Sequence, residues 1–348
     1  MSGRRLVKVA VDANGADQGP AEVAAAAELA VSQGGVEVIL YGPADELGDP
    51  GPGVTIVDAP VSIAKVTEPA AAVRANPDAS IVQAWNAVKE GEAEALVSGG
   101  STGAALAAGL FSVRRAKGIY RPALAVTLPV ARQRAVTLLD VGANTEVRTE
   151  QLVQFAYMGA AYATAVLDVK KPRVGLLNVG EERTRGTAQL MEVHDQLSAA
   201  TGNAFEFVGN VEGRHFAFGE IDIVVTDGFT GNVALKFAEA VSAATVDIVD
   251  AAKTRSVRAR AGHFLFEPSI SGARTEVDPA VTGGAYLLGL QQLGVVPHGR
   301  FGRYGISQAI LRAGHGVEEN LIERIHSTLE EAGMLRRAGL GAALKGGG

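Results

Sequence analysis

Residues 95–103 read Ala95-Leu96-Val97-Ser98-Gly99-Gly100-Ser101-Thr102-Gly103, and an Ala- and Leu-rich run follows directly. A short apolar run, a turn of glycines and hydroxyls, and then a run of good helix formers predict a strand, a tight turn and a buried helix start. From Ala95 to Val113 the chain is uncharged for about the 18 residues that would suggest a membrane span. The glycine-rich centre argues against spanning, because a helix broken there would leave backbone groups unsatisfied in lipid.

The same alternation extends in both directions. Strands are expected at Leu6–Val11, Val36–Tyr41, Ala95–Val97, Val136–Leu139, Val174–Leu177 and Ile221–Thr226, with helices at Ala21–Gln33, Ser80–Lys89, Thr149–Val166, Thr187–Ala199 and Asn232–Ala252. β-rich and Ala-rich segments in turn predict an α/β protein with a mostly parallel sheet covered on both faces. Residues 1–335 read as one catalytic domain, and the glycine-rich tail 336–348 reads as flexible. Gly262, Pro268, Gly272 and Pro279 interrupt the pattern over 256–279, a segment that also carries His263-Phe264-Leu265-Phe266. That segment is expected to be an irregular excursion from the sheet.

Composition narrows the chemistry. The 348 residues are 47% hydrophobic and only 5% aromatic, so the core must be built from small aliphatic side chains. No cysteine is present, which removes disulfides, thiolate metal sites and a cysteine nucleophile. A formal charge of −6 speaks against nonspecific nucleic-acid binding, and Lys8 and Asp12 interrupt any secretory apolar region, so a cytoplasmic chain is expected. Basic residues gather at Arg114, Arg115 and Lys117 and again at Lys253, Arg255, Arg258 and Arg260.

In an open α/β sheet the ligand sits beyond the carboxyl ends of the strands. Those positions here are polar and glycine-rich: Asp12 to Pro20 with Gly15 and Asp17, Ser98 to Gly103, Asp140 to Asn144, Asn178 to Glu182, Gly209 to Arg214, and Asp227 to Asn232. Ser98-x-Gly100-x-Thr102-Gly103 and Thr226-x-Gly228-x-Thr230-Gly231 share one pattern. In each, the threonine is expected to cap a helix whose N–H groups and dipole favour an anion, so that two such ends facing one crevice would hold phosphate. No Walker loop and no complete dinucleotide fingerprint occurs, and the histidines lack metal-ligand spacing, so neither cofactor nor metal is expected. Gly99-Gly100-Ser101-Thr102-Gly103 also fits a G-x-S-x-G nucleophile elbow, which leaves a serine hydrolase using Ser101, with Asp227 and His298, as an alternative. A non-catalytic scaffold that binds carrier protein or membrane is the other.

These loops, in order, resemble the PlsX family of acyl-ACP:phosphate acyltransferases. Val11 to Pro20, Ser98 to Ala104, Arg121 to Ala125, Leu139 to Asn144, Gly175 to Glu182, Val208 to Arg214 and Asp227 to Val233 carry the likeness, which runs from Val9 to about Leu329. It implies a homodimeric, Rossmann-like three-layer α/β/α fold, related to the isocitrate/isopropylmalate dehydrogenase-like and phosphotransacetylase-like folds. It further implies transfer of an acyl group from acyl carrier protein to inorganic phosphate and peripheral membrane association through an apolar element. Departures from the family pattern are Asn14, Ala16, Ser101, Arg185 and the run His298-Gly299-Arg300-Phe301.

Phosphate is itself a nucleophile, so positioning and charge stabilisation should suffice without a covalent intermediate. Arg214 and Lys236 are the expected charges, and Asn178, Asn232, Thr102 and Thr230 the expected donors. His298 is a candidate acid or base. Asp12, Gly15, Asp17, Ser98, Gly100, Ser101, Gly103, Asn144, Glu181, Glu182, Asp227, Gly228 and Gly231 are the expected binding-loop residues. Both basic clusters are candidate docking points for an acidic carrier protein.

Overall fold

The computed structural model describes residues 5–130, 134–200, 204–265 and 279–336. Among the described residues eleven strands form one sheet: β1 (Val7–Asp12), β2 (Val36–Gly42), β3 (Val54–Asp58), β4 (Ala95–Ser98), β5 (Ala123–Val130), β6 (Arg134–Leu139), β7 (Arg173–Leu177), β8 (Glu206–Val211), β9 (Ile223–Val225), β10 (Ala285–Leu288) and β11 (Leu293–Val296). Their order is β3-β2-β1-β4-β11-β10-β5-β6-β9-β7-β8.

Period-two alternation divides the side chains between two cores. Val7, Val9 and Val11 of β1 face one helical layer, while Ala10 faces the other. Helices Pro20–Gln33, Thr149–Val166 and Arg303–Glu318 cover the first face; Ser80–Glu90 and Thr102–Ser112 cover the second. Buried aromatics are few, and small residues let them fit. The single tryptophan, Trp85, donates its Nε1–H to the Ala105 carbonyl at 3.0 Å. Its ring lies so close to Gly109 and Gly294 that a Cβ at either would meet it at about 3 Å. Filling those positions would overpack the core.

The sheet is more divided than the sequence implied. β3, β2, β1, β4 and β11 are mutually parallel, as are β6, β9, β7 and β8. β10 and β5 are each antiparallel to both neighbours, so the two blocks run in opposite directions. The register shows where they end. Val296, at the close of β11, pairs with Ala285; Ala285 pairs with Val126; and Val126 pairs with Leu138, next to last in β6. Both blocks therefore stop at one transverse row, with β5 passing between them.

Two sequence expectations change and a third is met. Gly209 to Val211 lies inside β8 rather than after a strand. Residues 257–265 are helical rather than irregular, while 266–278 lie outside the described residues, as does the tail 337–348. The uncharged stretch Ala95–Val113 divides into a four-residue strand and an eleven-residue helix, too short to span a bilayer. Among the described residues no helix is long and apolar enough to cross a membrane.

Candidate active site

Asp12 closes β1 and is fully buried beneath the first glycine loop. Its Oδ1 accepts from Ser80 Oγ at 2.6 Å and from the Asn14 N–H at 3.2 Å, and its Oδ2 accepts from Ser98 Oγ at 2.7 Å. Ser98 Oγ in turn accepts from the Gly100 N–H at 3.2 Å. Asp12 and Ser98 are thus buried, shape the loop from below and are not among the residues that line the cleft above it. Burial, only partly offset by these three bonds, pushes the Asp12 carboxyl up to about 6. Gly15, with φ +93°, packs so tightly that a Cβ would lie 2.9 Å from Gly100 Cα.

Above this support, helix Thr102–Ser112 begins. Its cap is Ser101 rather than Thr102: Ser101 Oγ accepts from the Ala104 N–H at 3.2 Å. The N–H groups of Thr102 and Gly103 find no acceptor among the described residues. They stand at the positive end of an eleven-residue helix, which favours an anion.

The second loop behaves differently. Asp227 caps helix Gly228–Thr254, accepting the Thr230 N–H at 2.8 Å and the Thr230 hydroxyl at 2.7 Å. The Gly228 N–H donates to the Asn144 carbonyl at 2.7 Å. A Cβ on Gly231 would fall 1.9 Å from the Asp140 carbonyl oxygen. Asn144 closes the cluster, giving its backbone N–H and its side-chain amide to Asp140 Oδ2 at 2.7 and 2.9 Å. Asp227, Gly228, Thr230, Gly231 and Asn144 therefore satisfy one another and lock the helix onto the Asp140 loop. A carboxylate already occupies the helix end that the sequence pattern offered to phosphate.

What this helix contributes lies further along it. Asn232, Leu235, Lys236 and Glu239 line a cleft of about 410 Å³ over β5, together with Ser101, Thr102, His298 and Phe301. Asn232 Nδ2 donates to the Val141 carbonyl at 3.0 Å. Lys236 Nζ donates to Glu239 Oε2 at 2.9 Å and lies 3.4 Å from His298 Nε2. Burial first, and then the Lys236 charge, hold His298 below the usual histidine range. Asp17 stands at the rim, its N–H bound to the Gly299 carbonyl at 2.9 Å. The opposite wall is apolar, built from alternate β5 residues Leu124, Val126 and Leu128 with Val296 and Pro297. One end of the cleft suits an anion and the other a hydrocarbon.

Arg214 and Asn178 do not line this cleft. Arg214 forms an ion pair with Glu181 and approaches Glu212 at 3.7 Å, and the Glu181 carboxylate holds its guanidinium pKa above the usual value. Asn178 Nδ2 donates to the Arg185 carbonyl at 3.0 Å, while Arg185 pairs with Glu182 at 2.9 Å. Glu181 and Glu182 thus belong to a separate paired cluster at the ends of β7 and β8. The sequence reading missed Glu239 and the β5 wall. Glu239 sits three residues after Lys236, a spacing that puts both on one helical face. A further cavity of about 450 Å³, beside Tyr157 and Phe205, has no cationic residue among its lining, so it offers phosphate nothing.

A model of the family described as fatty acid synthesis protein matches residues 7–324. The chain is 42% identical over 330 residues to a phosphate acyltransferase of Pelotomaculum thermopropionicum, covering 93% of this chain and 95% of that one. It is likewise 42% identical over 327 residues to the phosphate acyltransferase of Thermus thermophilus, covering 93% and 98%. The EutD phosphotransacetylase of Staphylococcus aureus superposes with a TM-score of 0.60 at 14% identity over 90% of this chain and 94% of that one. A Streptococcus pyogenes phosphotransacetylase gives 0.59 at 17% identity over the same shares. At such identities the two structures show a shared fold.

Proposed function

We propose a specific reaction for this chain, which belongs to the fatty acid synthesis protein family and is a phosphate acyltransferase: it moves a fatty acyl group from acyl carrier protein to inorganic phosphate, giving an acyl phosphate. The observation that carries this reading is the two-ended cleft, whose lining joins Lys236 and the helix start at Thr102 to the apolar β5 residues Leu124, Val126 and Leu128.

Hydrogen phosphate at the helix start would place an anionic oxygen against a thioester carbonyl whose alkyl chain lies along Leu124, Val126 and Leu128. Lys236 offsets the dianion charge, and its bond to Glu239 keeps the ammonium at the cleft. With the reactants so held, most of the barrier reduction comes from orientation and charge stabilisation. Incubation with long-chain acyl carrier protein, phosphate and hydroxylamine should yield acyl hydroxamate. Absence of hydroxamate while the thioester is consumed would refute the reading. The serine-hydrolase alternative loses support, because the hydrogen-bond partner of Ser101 Oγ is the Ala104 N–H and no histidine lies within bonding distance of it among the described residues.

We further propose that a second copy covers the long helix, where Phe229, Val233, Phe237 and Val241 recur at four-residue spacing and stay exposed, Phe237 at 70%. Sedimentation of Phe237→Asp as a monomer beside a dimeric parent would support this; two monomers would refute it. Val257, Phe264 and Leu265, exposed beside Arg255, Arg258 and Arg260, are the proposed membrane contact. Flotation with anionic but not neutral vesicles tests it, and no flotation with either would remove it.

A further inference from the structure

We propose that His298 serves the reaction as a neutral Nε2–H donor to the thioester oxygen, its tautomer set by a backbone amide, and not as an acid or base; the inference rests on the acyltransferase reading above. The Arg300 N–H donates to His298 Nδ1 at 3.2 Å. A ring nitrogen that accepts a hydrogen bond carries no proton, so the proton of the neutral imidazole resides on Nε2.

That amide is held in place from two sides. The Phe301 N–H donates to the His298 carbonyl at 2.9 Å, and the Asp17 N–H donates to the Gly299 carbonyl at 2.9 Å. On the other side of the ring Lys236 Nζ is 3.4 Å from Nε2 and Glu239 Oε2 is 3.9 Å away, both lining the cleft. The two neighbours of the ring differ in freedom. Lys236 is on a flexible stem and already donates to Glu239, so it can yield to an Nε2–H; the Arg300 amide cannot turn without refolding the loop. Protonating the ring would set Nδ1–H against that amide and add a second cation beside Lys236. The charged groups that face the ring are Lys236 and Glu239 from the long helix, Arg300 from its own loop, and Asp17 from the loop after β1. Burial and Lys236 disfavour the imidazolium, in agreement with the geometry.

The chemistry asks for nothing more. An anionic oxygen of hydrogen phosphate forms the new bond to the carbonyl carbon, and the C=O pair moves onto oxygen. Collapse breaks the C–S bond, with the pair leaving on sulfur, and the phosphate proton ends on the thiol through solvent. Charge is −2 on both sides. The nucleophile is already ionised, and a thiolate, far less basic than an alkoxide, leaves without help from an acid. What remains to be stabilised is the oxyanion, and a neutral imidazole N–H can do that.

The test compares His298→Gln, His298→Asn and His298→Ala, with thermal unfolding to confirm that each is folded. The glutamine amide reaches the Nε2 position, whereas the asparagine amide reaches only Nδ1. Gln should retain kcat within about tenfold, while Asn and Ala fall by roughly 10² to 10³, as for a lost oxyanion donor, with KM for phosphate little changed. ¹⁵N spectra of the parent should show the Nε2–H pattern of a neutral ring at neutral pH, where the enzyme turns over. A folded Gln variant as inactive as Ala, or a ring that titrates in step with kcat, would overturn the role and leave the acyltransferase reading standing. A parent that holds the tautomer but forms no acyl phosphate would overturn both.

Discussion

Replacing Asp12 with asparagine should change how stability depends on pH, and the size of the change follows from the packing. The folded carboxyl sits at about 6 against an ordinary 3.8, because burial outweighs its three hydrogen bonds. A carboxyl raised on folding favours the native state most when protonated. Its contribution is complete below about pH 4 and is lost as pH rises through 6. At about 1.4 kcal/mol per pKa unit, the loss between pH 4 and pH 7 is about 2.5 kcal/mol. Asparagine does not titrate. The stability of the parent relative to Asp12→Asn, from urea unfolding, should therefore fall by about 2.5 kcal/mol from pH 4 to pH 7, with the contributions of other groups cancelling.

A constant offset will accompany this change. Ser80 Oγ accepts from Asn14 Nδ2 at 3.0 Å and Ser98 Oγ accepts from the Gly100 N–H, so both hydroxyls are committed to donating toward residue 12. An NH₂ group facing one of them loses a hydrogen bond worth about 0.5–1.5 kcal/mol. A difference between parent and variant that stays flat from pH 4 to pH 7 would refute the reasoning.

Two other substitutions probe the cleft directly. Lys236→Met should lower kcat/KM for phosphate by about 100-fold, as expected for removing a charge from the reacting centre, with the fold intact by circular dichroism. Ser101→Ala should cost about 1 kcal/mol of stability through the lost cap, yet leave phosphate-dependent turnover within about tenfold. Complete loss of turnover with the fold intact would restore Ser101 as a nucleophile.

Local patterns were legible in the sequence and long-range ones were not. Helix Thr149–Val166 appears at the expected residues because its apolar run is long and the flanking turns are clear. β5 and the hairpin of β10 and β11 were missed, although they join the two blocks and form the cleft wall. Short runs such as Ala285–Leu288 carry too little period-two signal to stand out, and no sequence pattern reveals that two parallel blocks oppose each other.

At the site, the first loop starts a helix where the sequence placed one, but with Ser101 rather than Thr102 as its cap. The second loop shares its glycine and threonine spacing, but there Asp227 places a carboxylate at the helix end where Ser101 places a hydroxyl. Lys236 and His298 were found as isolated residues. Their pairing with Glu239 depends on β11 ending beside the long helix, a tertiary fact. Arg214 was singled out by its charge, and the structure places it outside the cleft, paired with Glu181 and near Glu212.

The central claim is that phosphate, and not water or an enzyme side chain, takes the acyl group. The measurement that tests it most directly is the rate of thiol release from long-chain acyl carrier protein as phosphate is varied. Saturable release that vanishes without phosphate, and that is sharply weakened in Lys236→Met, is the predicted result. Release at the same rate with no phosphate present would contradict the account.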